Sequence, residues 1–154
     1  MLIFTGGSST SGVDMVRKTL AEAQATYLFE SVQVRPGHPA LAARLADGRI
    51  VLGLPGNPLA AYTALYSYLP PLLAGMRGLP LPPLDTAEIA QDIPALTASS
   101  QQRLIPALVR ECRAHPLPRR ASYMLSGLSK ATHLLVADAS GHTAGDRVPL
   151  LPVF

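Results

Sequence analysis

The 154-residue chain has one cysteine, no tryptophan, few aromatic residues and little charge, and each shortage removes a class of protein. A single thiol, Cys112, can neither close an intramolecular disulfide nor supply a cysteine-rich zinc site, so a cytoplasmic chain is the default expectation. Aromatics are 5% of residues, and the lysines and arginines behind a net charge of +3 are scattered. A nucleic-acid surface would cluster bases and rings together, so no nucleic-acid partner is expected. A small anionic ligand suits the mild positive excess better. No apolar run approaches the roughly eighteen residues of a membrane span, and no basic stretch leads into an apolar segment at the N-terminus. Neither a membrane span nor a signal peptide is expected. Hydrophobic residues at 48% against charged residues at 15% exclude a disordered chain.

What is present divides at Gly78. Nine of the fifteen prolines follow it, and Leu79-Pro80-Leu81-Pro82-Pro83 reads as a rigid linker. Before the linker the pattern is strand, turn and helix, twice over. Met1-Leu2-Ile3-Phe4 resembles a core strand that ends in Thr5-Gly6-Gly7-Ser8-Ser9-Thr10-Ser11-Gly12, which must be a loop. Val13, Val16, Leu20 and Ala23 recur at helical spacing, and Asp14 sits in the first turn. Residues 31–34 read as a short strand followed by the turn Arg35-Pro36-Gly37-His38-Pro39. Residues 49–54 read as a strand covered on both faces, running into Pro55-Gly56-Asn57-Pro58. Asn57 is a good N-cap and Pro58 a good first residue for a helix to Met76, closed by Gly78. Pro70-Pro71 predicts a kink or break in that helix. After the linker, strands are expected at 103–112, 132–137 and 147–153, the last near a sheet edge because of its prolines, with a short helix at 121–131. The result is an α/β unit, residues 1–78, followed by a small β-rich, barrel-like unit, residues 79–154. An α/β sheet of this kind needs more βα units than the first half supplies, so the chain reads as a C-terminal fragment.

Four features carry chemistry, each with a plainer reading beside it. The Gly6-Gly7-Ser8-Ser9 loop offers backbone and hydroxyl donors at a helix N-terminus, as a phosphate-binding loop would, or is a simple strand-to-helix turn. Asp14 complements the helix dipole, or binds Mg²⁺ or a ligand hydroxyl. Arg35 and His38 sit on a stiff turn, either solvated or gripping an oxyanion. Pro55-Gly56-Asn57-Pro58 starts a helix, and would also line a pocket if ligands bind at the carboxyl ends of the strands. No nucleophile elbow is present, and His38, His115, His133 and His142 are spaced too irregularly for a metal site. Cys112, inside an apolar strand pattern, reads as an inert buried thiol.

In that order, Thr-Gly-Gly-Ser-Ser-x-x-x-x-Asp (5–14), Arg-Pro-Gly-His-Pro (35–39) and Gly-Leu-Pro-Gly-Asn-Pro (53–58) resemble the molybdopterin molybdenumtransferases, the MoeA and gephyrin E-domain family. Ser122-Tyr123-Met124-Leu125-Ser126-Gly127-Leu128-Ser129-Lys130-Ala131 and Ala144-Gly145-Asp146-Arg147-Val148 resemble that family's C-terminal domain. The resemblance implies part of a three-layer α/β molybdopterin-binding domain (1–78) and a β-rich C-terminal domain (79–154). It implies insertion of molybdate into adenylylated molybdopterin, with Mg²⁺, usually in a homodimer. Asp14, Arg35, His38 and Ser122 fall on the family's functional positions, with Asp14 as the metal carboxylate. Gly6, Gly7, Ser8, Ser9, Pro55, Gly56, Asn57 and Pro58 fall on its ligand-binding turns. Two positions depart from the pattern: His38 stands for the usual lysine, and an arginine of the C-terminal domain aligns with Leu108. Without the family's upstream acidic residues, these 154 residues are expected to be inactive alone. The alternatives are a molybdopterin adenylyltransferase-like enzyme and a non-catalytic dimerisation scaffold of the gephyrin E type.

Overall fold

Alternation along two short strands sets the first layer arrangement. In the computed structural model, which describes residues 1–6, 15–96, 100–117 and 128–153, β1 (Leu2–Thr5), α1 (Met15–Glu22), β2 (Thr26–Phe29), β3 (Val34–Arg35), β4 (Leu41–Arg44), β5 (Ile50–Leu54) and α2 (Pro58–Met76) follow in order. The first sheet has the order β1-β5-β4-β2, with β1 parallel to β5 and the other pairs antiparallel. Leu41, Ala43 and Val51 point to one face and pack on Leu20 and Val16 of α1. Ala42, Leu52 and Leu54 point to the other and pack on Ala64, Leu65, Tyr68 and Leu72 of α2. Side chains alternate across a strand, so each helix covers its own set, giving the three layers expected.

The expected strand at 31–34 is replaced by β2 and the two-residue β3. α1 stops at Glu22, Gln24 takes a left-handed φ of 50°, and the chain re-enters the sheet at Thr26. β4 went unrecognised because Leu-Ala-Ala-Arg favours helix. Its partner β5 overrides that preference through a turn in which Gly48 has φ +85° and donates to the Leu45 carbonyl. The expected strand at residues 1–4 is β1, Leu2–Thr5. It forms the sheet edge, with Leu2, Ile3 and Phe4 at 38%, 43% and 44% exposed.

α2 begins as expected. The Asn57 side chain accepts from the Ala60 N–H at 3.1 Å, and Pro58 occupies the first turn, where a missing N–H costs nothing. It does not break at Pro70-Pro71. Those prolines cannot donate to the Tyr66 and Ser67 carbonyls, yet Tyr68 and Leu72 on either side are packed on the sheet and hold the helix in place. Gly78, at φ +67°, ends it.

Residues 79–84 form neither helix nor strand. Then β6 (Asp85–Ile89), β7 (Gln102–Arg110), β8 (Arg113–Pro116), β9 (His133–Ala137) and β10 (Arg147–Pro152) make the second sheet. Its order is β3-β7-β8-β6-β10-β9, and an added β7–β9 pairing closes β7-β8-β6-β10-β9 into a five-stranded barrel. Ala87, Ile89, Ile105, Ala107, Leu135, Val148 and Leu150 fill it. β7 ends at Arg110 rather than Cys112, because Glu111 and Cys112 adopt φ of 49° and 60° as a two-residue hairpin turn into β8. Cys112 is therefore exposed, not a buried thiol. β10 is not an edge strand. Pro149 lies where β10 is paired with β6 and Pro152 where it is paired with β9, so neither proline has a mapped partner on both sides. A 3₁₀ turn spans Leu128–Lys130, and the rest of the helix expected at 121–131 lies outside the described residues.

Candidate functional site

β1 and β5 run parallel, so their carboxyl ends open on the same side, where α/β sheets take up ligands. Gly6 leaves β1 with φ +80°, a left-handed conformation that glycine enters without strain, and its N–H donates to the Leu54 carbonyl at 3.0 Å. Gly56 lies in the turn after β5. A Cβ placed there would stand 3.5 Å from the Gly6 Cα, so the two loops meet backbone to backbone. An open groove of about 430 Å³ runs beside them, lined by Thr5, Pro55, Gly56, Pro58, Tyr62 and Leu65 among others. Asn57 has its side-chain oxygen on the Ala60 N–H and serves the helix start. Gly7, Ser8, Ser9 and Asp14, and likewise Ser122, lie outside the described residues.

The Arg35–Pro39 turn forms a second cluster. The Arg35–Pro36 bond is cis, and Gly37, at φ +125°, packs beside Thr63 and Ala64 of α2. Thr63 is fully buried, with its hydroxyl within reach of both the Pro36 carbonyl (3.2 Å) and the Ala60 carbonyl (3.0 Å). The Val32 N–H donates to the His38 carbonyl at 3.0 Å, and His38 Nδ1 lies 2.6 Å from the Val32 carbonyl oxygen. That oxygen only accepts, so Nδ1 carries the proton. Arg35 Nε donates to the side-chain oxygen of Gln101, which precedes β7. Arg35 and His38 are both exposed, and among the described residues no carboxylate forms an ion pair with Arg35. Its charge is thus available to an anion.

The fold brings Pro55, Gly56 and Pro58 to one groove, with Gly6 against Gly56 at its side, and Arg35 and His38 to another place on the same helix. α2 turns Pro58, Ala61, Tyr62 and Leu65 to the groove and Thr63 to the basic turn. Thr63 and Gln101 were missed by sequence reasoning. Thr63 was one hydroxyl in an apolar helix, and Gln101 lies 66 residues from its partner Arg35, with no local signal. The described residues contain no group of three or more His, Cys, Asp or Glu able to form a metal centre. Away from both clusters, burial pushes the Tyr68 phenol up to about 12, with its ring 5.1 Å from Phe29. The Arg49 N–H and guanidinium hold the Asp47 carboxyl below its ordinary value in the turn before β5.

Residues 1–75, which contain both clusters apart from Gln101, match the family described as "Probable molybdopterin binding domain". Over 142 residues the chain is 30% identical to the molybdopterin molybdenumtransferase of Synechococcus elongatus, covering 90% of this chain and 34% of that protein. The chain is thus similar to molybdopterin molybdenumtransferases over most of its own length. A second relative, the molybdopterin molybdenumtransferase of Staphylococcus epidermidis, is 37% identical over 78 residues, 51% of this chain and 18% of its own length. The chain thus spans about a third or less of these curated relatives. Among solved structures, the molybdopterin biosynthesis MoeA protein of Pyrococcus horikoshii matches 97% of this chain and 36% of its own, with TM-score 0.73 and 17% identity. A molybdenum cofactor biosynthesis protein of Pyrococcus furiosus matches 99% and 67%, with TM-score 0.69 and 17% identity. At such identities these two establish the shared fold. Among the described residues no helix is long and apolar enough to cross a membrane.

Proposed function

We propose that this chain supplies part of the site at which molybdate is inserted into adenylylated molybdopterin, with AMP released. The observation that carries the proposal is the meeting of Gly6 and Gly56 at the carboxyl ends of two parallel strands, beside an open groove. Backbone can approach a ligand closely there because neither residue has a side chain. In this reading the loop Gly6, Gly7, Ser8 and Ser9 holds the phosphates of the substrate, and Pro55, Gly56, Asn57 and Pro58 form the rigid opposite wall. Arg35 attracts molybdate, joined by His38 when its ring is doubly protonated and Nε2–H can donate, because the double negative charge needs fixed cations or donors. Asp14 is the carboxylate that would hold Mg²⁺, and the ion would offset the charge of the substrate phosphates. Ser122, in the C-terminal unit of residues 79–154, is assigned to the same site because it falls on the family's functional serine. A cytoplasmic homodimer is part of the same reading, and so is the expectation that the chain needs the rest of its relatives' length for turnover.

The test is a thermal melt of the chain with and without adenylylated molybdopterin. Binding to the folded state alone stabilises by about 2.7 kcal/mol at a hundredfold excess over Kd. No shift on a cooperative melt would refute a phosphate site built from these turns. In the complete protein, Arg35→Ala and Asp14→Ala should each reduce molybdate-dependent cofactor synthesis, and unchanged synthesis would remove the roles assigned to them.

A further inference from the structure

A single side chain from the barrel side touches both members of the basic turn. Gln101 is half-buried immediately before β7. Its side-chain oxygen accepts from Arg35 Nε, and its side-chain nitrogen stands 3.4 Å from His38 Nδ1. The amide orientation follows from chemistry. Arg35 has only donors, so the oxygen must face it. His38 Nδ1 is already committed as a donor to the Val32 carbonyl at 2.6 Å, so the Gln101 nitrogen packs against the imidazole rather than donating to it. The backbone places Gln101 firmly. The next residue, Gln102, donates its N–H to the Gln33 carbonyl at 2.9 Å, and β3 pairs with β7 in the register Val34↔Gln102 and Arg35↔Arg103.

We propose that Gln101 is a positioning residue, which holds the Arg35 guanidinium and the His38 ring in the orientation that receives an oxyanion. With Nε engaged, the planar guanidinium offers its Nη1 and Nη2 edge as a two-pronged grip for a tetrahedral anion. With Nδ1 engaged, His38 has Nε2 left, which donates when the ring is doubly protonated. Without Gln101 an exposed arginine side chain regains its rotamer freedom, and that freedom must be lost again when the anion binds. Anion capture by the α/β unit therefore depends on the barrel being docked against β3. This inference rests on the proposed meeting of Arg35 and His38 with molybdate.

The experiment uses the whole chain with molybdate alone as the probe, in wild type, Gln101→Ala, Gln101→Met, Gln101→Glu and Arg35→Ala. Binding is measured by titration calorimetry, and the exchange rate of the Arg35 Nε–H by nitrogen-15 NMR. Gln101→Ala and Gln101→Met should weaken molybdate binding about tenfold and speed Nε–H exchange, since both remove the acceptor. Gln101→Met keeps the bulk, so its loss separates hydrogen bonding from packing. Gln101→Glu should keep the slow exchange while weakening binding through its negative charge. If Arg35→Ala abolishes binding but Gln101→Ala and Gln101→Met leave it and the exchange rate unchanged, the positioning role is wrong and the molybdate reading stands. If wild type and Arg35→Ala bind molybdate equally, or neither binds it, the reading of the basic turn fails and the positioning role falls with it.

Discussion

Replacing Gly53 with alanine sets two effects of opposite sign against each other. Gly53 lies in β5 directly opposite Leu41 and beside Phe4 of β1. Alanine restricts the unfolded chain and would by itself stabilise a strand position by about 0.5–1 kcal/mol. The structure decides otherwise. A Cβ at residue 53 would sit 2.8 Å from Leu41 Cγ and 2.9 Å from Cδ1, roughly 0.7 Å closer than carbon atoms tolerate. Leu41 cannot swing outward, because it is fully buried with Leu20, Ala43 and Val51. Overpacking of this kind costs about 1–3 kcal/mol, so Gly53→Ala should be a net loss. Leu41→Ala alone should cost about 2–5 kcal/mol through its cavity. In the double variant the new methyl enters the space that Leu41 left, so the sum should overestimate the loss by at least about 1 kcal/mol. Urea unfolding followed by circular dichroism measures all four proteins. A neutral or stabilising Gly53→Ala, or additivity within about 0.5 kcal/mol, would show that the Leu41 contact does not control this position.

Other consequences can be measured on the same chain. Asn57→Ala removes the acceptor for the Ala60 N–H and should cost about 1 kcal/mol in urea unfolding, with Asn57→Asp restoring most of it. Thr63→Val keeps the shape but removes the hydroxyl shared by the Pro36 and Ala60 carbonyls; about 1–2 kcal/mol should be lost, together with faster amide exchange at Ala40, which donates to Gly37 in the adjoining turn. Tyr68 is neutral at its raised value, so its contribution to stability is fully present below about pH 10, the unfolded value, and is lost as pH rises toward about 12. Tyr68→Phe should flatten the decline in melting temperature over that interval, and an unchanged slope would contradict the burial. Cys112 should react with a thiol reagent in the native chain at close to the rate seen in urea, whereas a buried thiol would be strongly protected.

Sequence periodicity gave the two helices and the apolar β5, because each carries its own local punctuation: Asn57 and Pro58 at the start of α2, Gly78 at its end. What it missed was decided at a distance. Leu41 to Arg44 is helical by propensity and a strand only because β5 lies beside it, although Asp47-Gly48 was a legible hairpin signal. β6, just after the proline linker, has no strand expectation, since Asp-Thr-Ala-Glu-Ile shows its alternation only once Ala87 and Ile89 are known to face the barrel interior. The Glu111-Cys112 turn contains no glycine or asparagine to announce it. The same division runs through the site. Gly6 and Gly56 were legible as loop glycines after strands, and their mutual contact fits the expectation for parallel strand ends. That Arg35 and His38 are separated from the groove lining, and bridged by Gln101, depends on how the barrel docks on β3.

The barrel closure also dictates when this chain can finish folding during synthesis. The first barrel strand, Asp85–Ile89, takes as one of its neighbours Arg147–Pro152, the barrel's last strand in chain order. A growing chain can form the β7–β8 hairpin as soon as those residues leave the ribosome, but the ring stays open until β10 emerges. At translation speeds of about 5–20 residues per second, the 59 positions from Glu88 to its partner Arg147 amount to several seconds with an unclosed sheet. Through that interval Ala87 and Ile89 remain uncovered by Val148 and Leu150, so the nascent barrel has its greatest need of a chaperone before its final strand arrives.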